Sequence, residues 1–82
     1  MAEIRYVGYI KKLTQVEIEE LNADTITHML KEIEKKYGEE AYKVAKQSHI
    51  FINHKSIAGL KGFRTPLKTS DIVQIVPVCG GG

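Results

Sequence analysis

Ile72-Val73-Gln74-Ile75-Val76-Pro77-Val78-Cys79-Gly80-Gly81-Gly82 divides into two physically different pieces. Ile72 to Val76 is mostly apolar and β-branched, as expected for a central strand buried on both sides. Pro77 has no N–H to donate, so ladder pairing ends there. After Val78 and Cys79 come three glycines and the main-chain carboxylate. A run without Cβ atoms can pass a channel too narrow for side chains and adopt backbone angles closed to other residues. A terminal carboxylate is a group that partner proteins capture, and an extended peptide can set it beside a reactant at high effective concentration. A frayed end with no role is the alternative reading of the same glycines.

A central strand needs neighbours, and the sequence upstream offers them. His49-Ile50-Phe51-Ile52-Asn53 reads as a strand ended by a turn at Asn53-His54, with Ser56-Ile57 as a short return strand. Ala58 to Pro66 holds two glycines and a proline and reads as loop. Ile26, Met29, Leu30, Ile33 and Tyr37 recur at spacings of three and four, which places them on one helical face. Asp24 or Thr25 supplies the N-cap, Lys35 and Lys36 suit the negative end of the helix dipole, and Gly38 stops the helix. Glu39 to Lys46 predicts a short second helix that uses Ala41, Tyr42 and Ala45.

At the start, Ile4-Arg5-Tyr6-Val7-Gly8-Tyr9-Ile10 reads as a strand interrupted by Lys11-Lys12. Thr14 to Glu19 alternates polar and apolar, which predicts a hairpin partner with Val16 and Ile18 on one face and Glu17 and Glu19 on the other. Glu17, Glu19 and Glu20 then form a solvated strand face. The expected architecture is α+β, with one main helix across one face of a mixed sheet of four to five strands. Its apolar stripe would pack against Ile4, Tyr6, Val16, Ile18, Ile52, Val73 and Ile75.

With 82 residues the chain is one domain, burying about 60–65% of the surface its unfolded form exposes. The net charge is +2 over interleaved basic and acidic residues, so electrostatics gives no case for nucleic acid, whose binders carry a basic stripe. Met1-Ala2-Glu3-Ile4-Arg5 lacks the apolar run of a signal peptide, and no segment approaches the roughly 18 apolar residues of a membrane span. A single cysteine forms no internal disulfide. A cytoplasmic protein without membrane partners is the expectation. His28, His49 and His54 lack metal-ligand spacing, and neither a P-loop nor GxGxxG is present.

The second half carries more specific signals. Ile52-Asn53-His54-Lys55-Ser56-Ile57, Leu60 to Leu67 with its Thr65-Pro66-Leu67, Asp71 to Pro77 and Gly81-Gly82 together resemble the ubiquitin-like sulfur carriers of the MoaD and ThiS type. The nearest resemblance is to the small subunit of molybdopterin synthase. It runs from Ile50 to Gly82 without a gap at the tail, while the first half agrees only in element order. His54 stands where that family favours Gly, Ser70 replaces a Gly before Asp71, and Val78 replaces a second Pro; each alters a turn or the tail base and leaves Gly81 and Gly82 untouched.

The resemblance implies a β-grasp domain over residues 1–78 and a flexible tail over 79–82. It implies that an E1-like enzyme uses ATP to adenylate the Gly82 carboxylate, and that a sulfur donor of cysteine desulfurase or rhodanese type leaves a thiocarboxylate there. Gly80 and Gly81 would thread the tail into the partner. Val7 and Val76, with Ile57 as a third residue, would form the apolar partner interface. The carrier would bind no cofactor and have no enzymatic activity alone, acting as the small subunit of a molybdopterin synthase-type sulfurtransferase. Cys79 reads as a small apolar filler, with redox exchange beside the thiocarboxylate as the alternative. Sulfur supply for tRNA thiolation, conjugation to protein lysines, and an interaction module with an inert tail are the competing functions.

Overall fold

The computed structural model describes residues 1–78. Five strands, β1 (Ala2–Tyr6), β2 (Ile18–Leu21), β3 (His49–Ile52), β4 (Lys55–Ser56) and β5 (Ile72–Val76), form one sheet in the order β2-β1-β5-β3-β4. β5 is the third of the five, parallel to β1 and antiparallel to β3. Three helices accompany the sheet: α1 (Tyr9–Thr14), α2 (Ile26–Tyr37) and α3 (Glu39–Gln47). The arrangement is the β-grasp, ubiquitin-like fold that the resemblance implies, with three helices where the sequence predicted one or two.

Burial alternates along β1 and β5 as the strand period requires. Ile4, Tyr6, Val73 and Ile75, with Ile50 and Ile52 of β3, point into a core closed by Ile26, Met29 and Ile33 of α2. Thr25 caps α2 by accepting from the His28 N–H at 3.1 Å, and the chain turns at Gly38 directly into α3. The long connection to β5 is stitched to the start of α2. Ile26 N–H donates to the Thr65 carbonyl at 3.1 Å and Leu67 N–H to that of Asp24 at 2.8 Å, burying Thr65 and Leu67. That is the structural use of Thr65-Pro66-Leu67.

The first twenty residues differ from the sequence reading. β1 stops at Tyr6, because Gly8 takes a positive φ of 64° that no strand sustains. Tyr9 to Thr14 then forms α1, which swings Ile10 fully into the core and ends at Gln15 in the left-handed region with its N–H on the Lys11 carbonyl. The second strand begins later than predicted, and its phase is opposite. Glu19 pairs with Ile4 and Leu21 with Ala2, so Glu19 and Leu21 face inward while Val16 and Ile18 are exposed. A one-residue phase change exchanges the two faces of a strand.

An inward carboxylate needs donors, and Glu19 has three. The Tyr6 and Tyr37 hydroxyls donate to its Oε2 at 2.6 and 2.7 Å, and Lys36 Nζ lies 2.5 Å from Oε1. Its side chain is only 11% exposed, so it is not part of a solvated face. Burial alone would raise this carboxyl, but the hydrogen bonds from Lys36, Tyr37 and Tyr6 outweigh it and hold the group below its ordinary value. Burial first, and then the hydrogen bond to Glu19, push both tyrosines well above theirs.

The signs set the pH dependence. A depressed carboxyl contributes stability above its unfolded value, near about 4.3, and loses it as pH falls through the folded value. The raised tyrosines contribute below about 10 and lose that contribution as pH rises. Glu19→Gln is expected to cost about 2 kcal/mol at neutral pH, the scale of hydrogen bonds to a charged acceptor, and to flatten the acid limb. Urea denaturation compared at neutral and acid pH reads both effects.

Candidate functional site

The sheet face turned away from the helices leads to the tail, and strand register builds it. Arg5 lies between Ile18 of β2 and Gln74 of β5, and Gln74 is followed by Phe51 of β3. One step nearer the tail, Val7 N–H donates to the Ile75 carbonyl at 3.3 Å, which brings Val7 level with Val76. Val76 is paired on its other side with His49. The face therefore combines Val7, Val76, Ile18 and Phe51 with the polar Arg5, Gln74 and His49. Arg5 Nε donates to Glu3 Oε2 at 2.6 Å on the same strand, a half-buried pair still in reach of solvent and of small energetic weight.

Exposure separates the predicted interface residues. Val7 is 40% exposed, Val78 at the tail base is 54% exposed, and Val76 is half-buried. Ile57 is only 8% exposed, because it enters the short 3₁₀ turn Ile57–Gly59 after β4 and joins the core cluster. Ile57 is removed from the candidate face. Two residues take its place that sequence reasoning missed. Ile18 is 52% exposed, and was assigned inward through the phase error in β2. Phe51 is half-buried, and its outward direction was available from Ile50 and Ile52 facing the core.

The tail base is fixed by a close approach. The backbone of Gly8 lies against the Pro77 ring, so that a Cβ on Gly8 would stand 3.7 Å from Cδ and 3.8 Å from Cγ. That distance is ordinary contact; the constraint is the backbone, with φ 64° and ψ −139°. Gly8→Ala is expected to cost about 1–3 kcal/mol of strain and to lower the melting temperature by roughly 4–8 °C per kcal/mol, as thermal denaturation would show. Gly80, Gly81, Gly82 and Cys79 lie outside the described residues.

Among the described residues no three His, Cys, Asp or Glu side chains group to hold a metal ion, and no helix is long and apolar enough to cross a membrane. Of the remaining titratable groups, Tyr9 donates to Glu40 Oε2 at 2.7 Å and ties α1 to α3. The described geometry is thus a part-apolar face running to Val78, after which the last four residues begin.

The sequence matches the ThiS family over residues 4–82. Solved structures with the same fold include small archaeal modifier protein 1 from Methanosarcina acetivorans, with 21% identity, a TM-score of 0.87 and coverage of 99% of this chain and 95% of that one. The Amycolatopsis orientalis BexX/CysO complex matches at 15% identity and TM-score 0.84 over the full length of both chains. The complex of subunits 1 and 2 of molybdopterin-converting factor from Helicobacter pylori matches at 26% identity and TM-score 0.68, covering 98% and 97%. No curated protein matches the sequence.

Proposed function

The chain belongs to the ThiS family of ubiquitin-like sulfur carriers, and from that premise we propose that its reacting group is the Gly82 carboxylate. An adenylating partner of the E1 type joins that carboxylate to AMP with release of pyrophosphate. The terminal sulfur of a donor persulfide then displaces AMP, and a thiol cleaves the resulting acyl disulfide, leaving the thiocarboxylate on the carrier and a disulfide on the donor. The carrier itself holds no ATP and works as a co-substrate. Gly80 and Gly81 pass through the partner's channel, since neither has a Cβ to obstruct it. Stabilisation of the mixed anhydride falls to donors of the partner.

The observation that carries the reading is the union of three features on one strand. β5 sits between β1 and β3, it ends beside exposed Val7 at a base fixed by Gly8 and Pro77, and a side-chain-free segment follows it in sequence. A partner that docks on the sheet face receives the tail at a defined point. Exposed apolar residues gathered with polar neighbours on one sheet face suit an interaction surface.

Molybdopterin synthesis is the sulfur acceptor pathway we favour, with the large subunit of molybdopterin synthase as the docking partner. It is supported by the Helicobacter pylori two-subunit complex, which is similar over nearly the whole of this chain. Similarity to the archaeal modifier protein supports conjugation to protein lysines as the second reading. Affinity purification of the tagged full-length chain from its own cells separates them. Recovery of a molybdopterin synthase large subunit supports the first reading, whereas a ladder of isopeptide-linked adducts without that subunit favours the second.

A further inference from the structure

The interleaving of charges read along the sequence holds for residues 1–40 and fails after them. All ten acidic residues lie in that stretch or at Asp71, while residues 41–70 hold Lys43, Lys46, Lys55, Lys61, Arg64 and Lys68 with no Asp or Glu. The folded domain deepens the contrast. Arg5, Lys11, Lys31, Lys35 and Lys36 each pair with a carboxylate. In the basic stretch, only Lys43 does so among the described residues, at 3.8 Å from Glu39.

Within this basic region lies a notch of about 270 Å³ lined by Lys46, Ser48, Ile57, Ala58, Gly62 and Phe63. Its walls are largely apolar, and Phe63 is 38% exposed. Lys61 and Arg64, both exposed, bracket Gly62 and Phe63 in the turn that forms one wall. That turn is held in place: Thr65 Oγ1 accepts from Lys61 N–H at 3.0 Å and donates to the Gly62 carbonyl at 2.7 Å, and Thr27 Oγ1 donates to the Phe63 carbonyl at 2.9 Å. Gly62 itself has φ 60°, a conformation that disfavours other residues. The notch is smaller than the roughly 300–1,000 Å³ of small-molecule sites, and fits a single large side chain better. It opens beside Ser48, next to His49, which pairs with Val76. It therefore lies at the tail end of the sheet, on the β3–β4 side.

We propose that this notch and its cationic rim of Lys46, Lys61 and Arg64 form a second docking site, which takes an acidic protein segment with an apolar side chain seated between Ile57 and Phe63. Cations with no carboxylate partner among the described residues supply the complementary field for carboxylates, and the apolar walls supply the anchor pocket typical of peptide recognition. Nucleic acid would also answer the charge, but single-strand binding rests on a run of aromatic platforms for successive bases, and the lining of the notch holds one aromatic residue, Phe63. The site is distinct from the Val7 and Val76 face and independent of tail chemistry. A partner holding the tail would reach it on the adjoining edge.

The test is an NMR titration of the isotope-labelled full-length chain with a blocked peptide in which one Leu is flanked by Asp and Glu residues. The expected result is shifts confined to the amides around Lys46, Ile57, Lys61, Phe63 and Arg64, weakening as salt screens the exposed charges. Lys61→Glu with Arg64→Glu should weaken binding roughly tenfold or more, and Phe63→Ser should do so without reversing charge; dispersed amide spectra show that both variants fold. Removing Gly82 should leave the affinity unchanged, so the outcome is separate from that of the sulfur chemistry. The proposal is overturned by an absence of shifts at millimolar peptide, by shifts centred on Val7 and Val76, or by equal binding of the same peptide with Lys in place of its acids. Single-stranded RNA shifting these amides at lower concentration than the peptide also overturns it.

Discussion

Removing Gly82 is expected to abolish sulfur transfer while leaving the folded domain unchanged. The reason is chemical: on the proposed mechanism the nucleophile of the charged carrier is the terminal sulfur itself, and a carboxylate shifted back by one residue would no longer reach the position where the partner holds its reactant. Displacement of a reacting atom by an ångström already costs about a hundredfold, and one extended residue is roughly 3.3 Å. Loss of at least that factor is expected, down to the background of the assay. The core of the domain is closed by Ile4, Tyr6, Ile33, Val73 and Ile75, and Gly82 is not among the residues that close it, so the fold is expected to tolerate the change. Equal melting temperatures of the full and shortened chains, beside single-turnover sulfur transfer to the acceptor, check both halves of the expectation. A shortened chain that transfers sulfur at the original rate would contradict it.

Val7→Asp is the second large effect. Val7 is exposed at 40% and level with Val76, so the free protein loses little by the change; surface substitutions of this kind fall within about ±0.5 kcal/mol. In the complex, the new carboxylate would be stripped of water in the apolar part of the interface without a partner charge. A cost of about 2 kcal/mol or more is expected, the size of an interface hot spot, which corresponds to roughly a 30-fold loss of affinity for the docking subunit. Calorimetric titration measures it. Ile57→Asp is the instructive contrast. Ile57 belongs to the core cluster, so the same substitution there should appear as lost stability and not as a selective defect in docking through the Val7 and Val76 face.

The parts of the fold that were legible in the sequence are those in which period and punctuation agree. α2 combines a 3.6-residue apolar stripe with Thr25 at its start and Gly38 at its end, and the structure places both boundaries there. β5 runs from Ile72 to Val76 as read, with Pro77 just beyond it. The first twenty residues were misread because alternation gives the period of a strand and not its phase. Ile18 outward and Glu19 inward looks unfavourable until the three donors are known. Tyr6, Lys36 and Tyr37 lie 13, 17 and 18 residues from Glu19, a convergence that only the folded chain displays. Gly8 was hidden for a similar reason: one glycine in an apolar run reads as a tolerated strand residue until its positive φ turns Ile10 into a buried helix.

The candidate site divides in the same manner. Strand parity gave the outward direction of Val7 and Val76, because the buried neighbours Tyr6 and Ile75 fix which way they point. The same parity would have supplied Phe51. Ile57 failed because Ser56 caps a 3₁₀ turn, accepting from the Ala58 N–H at 3.2 Å, so the residue leaves strand geometry where a return strand was expected. The charge asymmetry of residues 41–70 was present in the sequence all along, and gained meaning once the ion pairs of the other half were seen.

The central claim is that a reactive acyl group is built on the last residue of this chain. Intact-mass analysis of the full-length protein, incubated with its cognate adenylating enzyme, ATP and a sulfur donor, tests it most directly. Exchange of one terminal oxygen for sulfur, localised by fragmentation to the peptide that ends at Gly82, is the expected result. A protein that keeps its original mass when that enzyme is demonstrably active, or that carries the added sulfur on Cys79 instead, would contradict it.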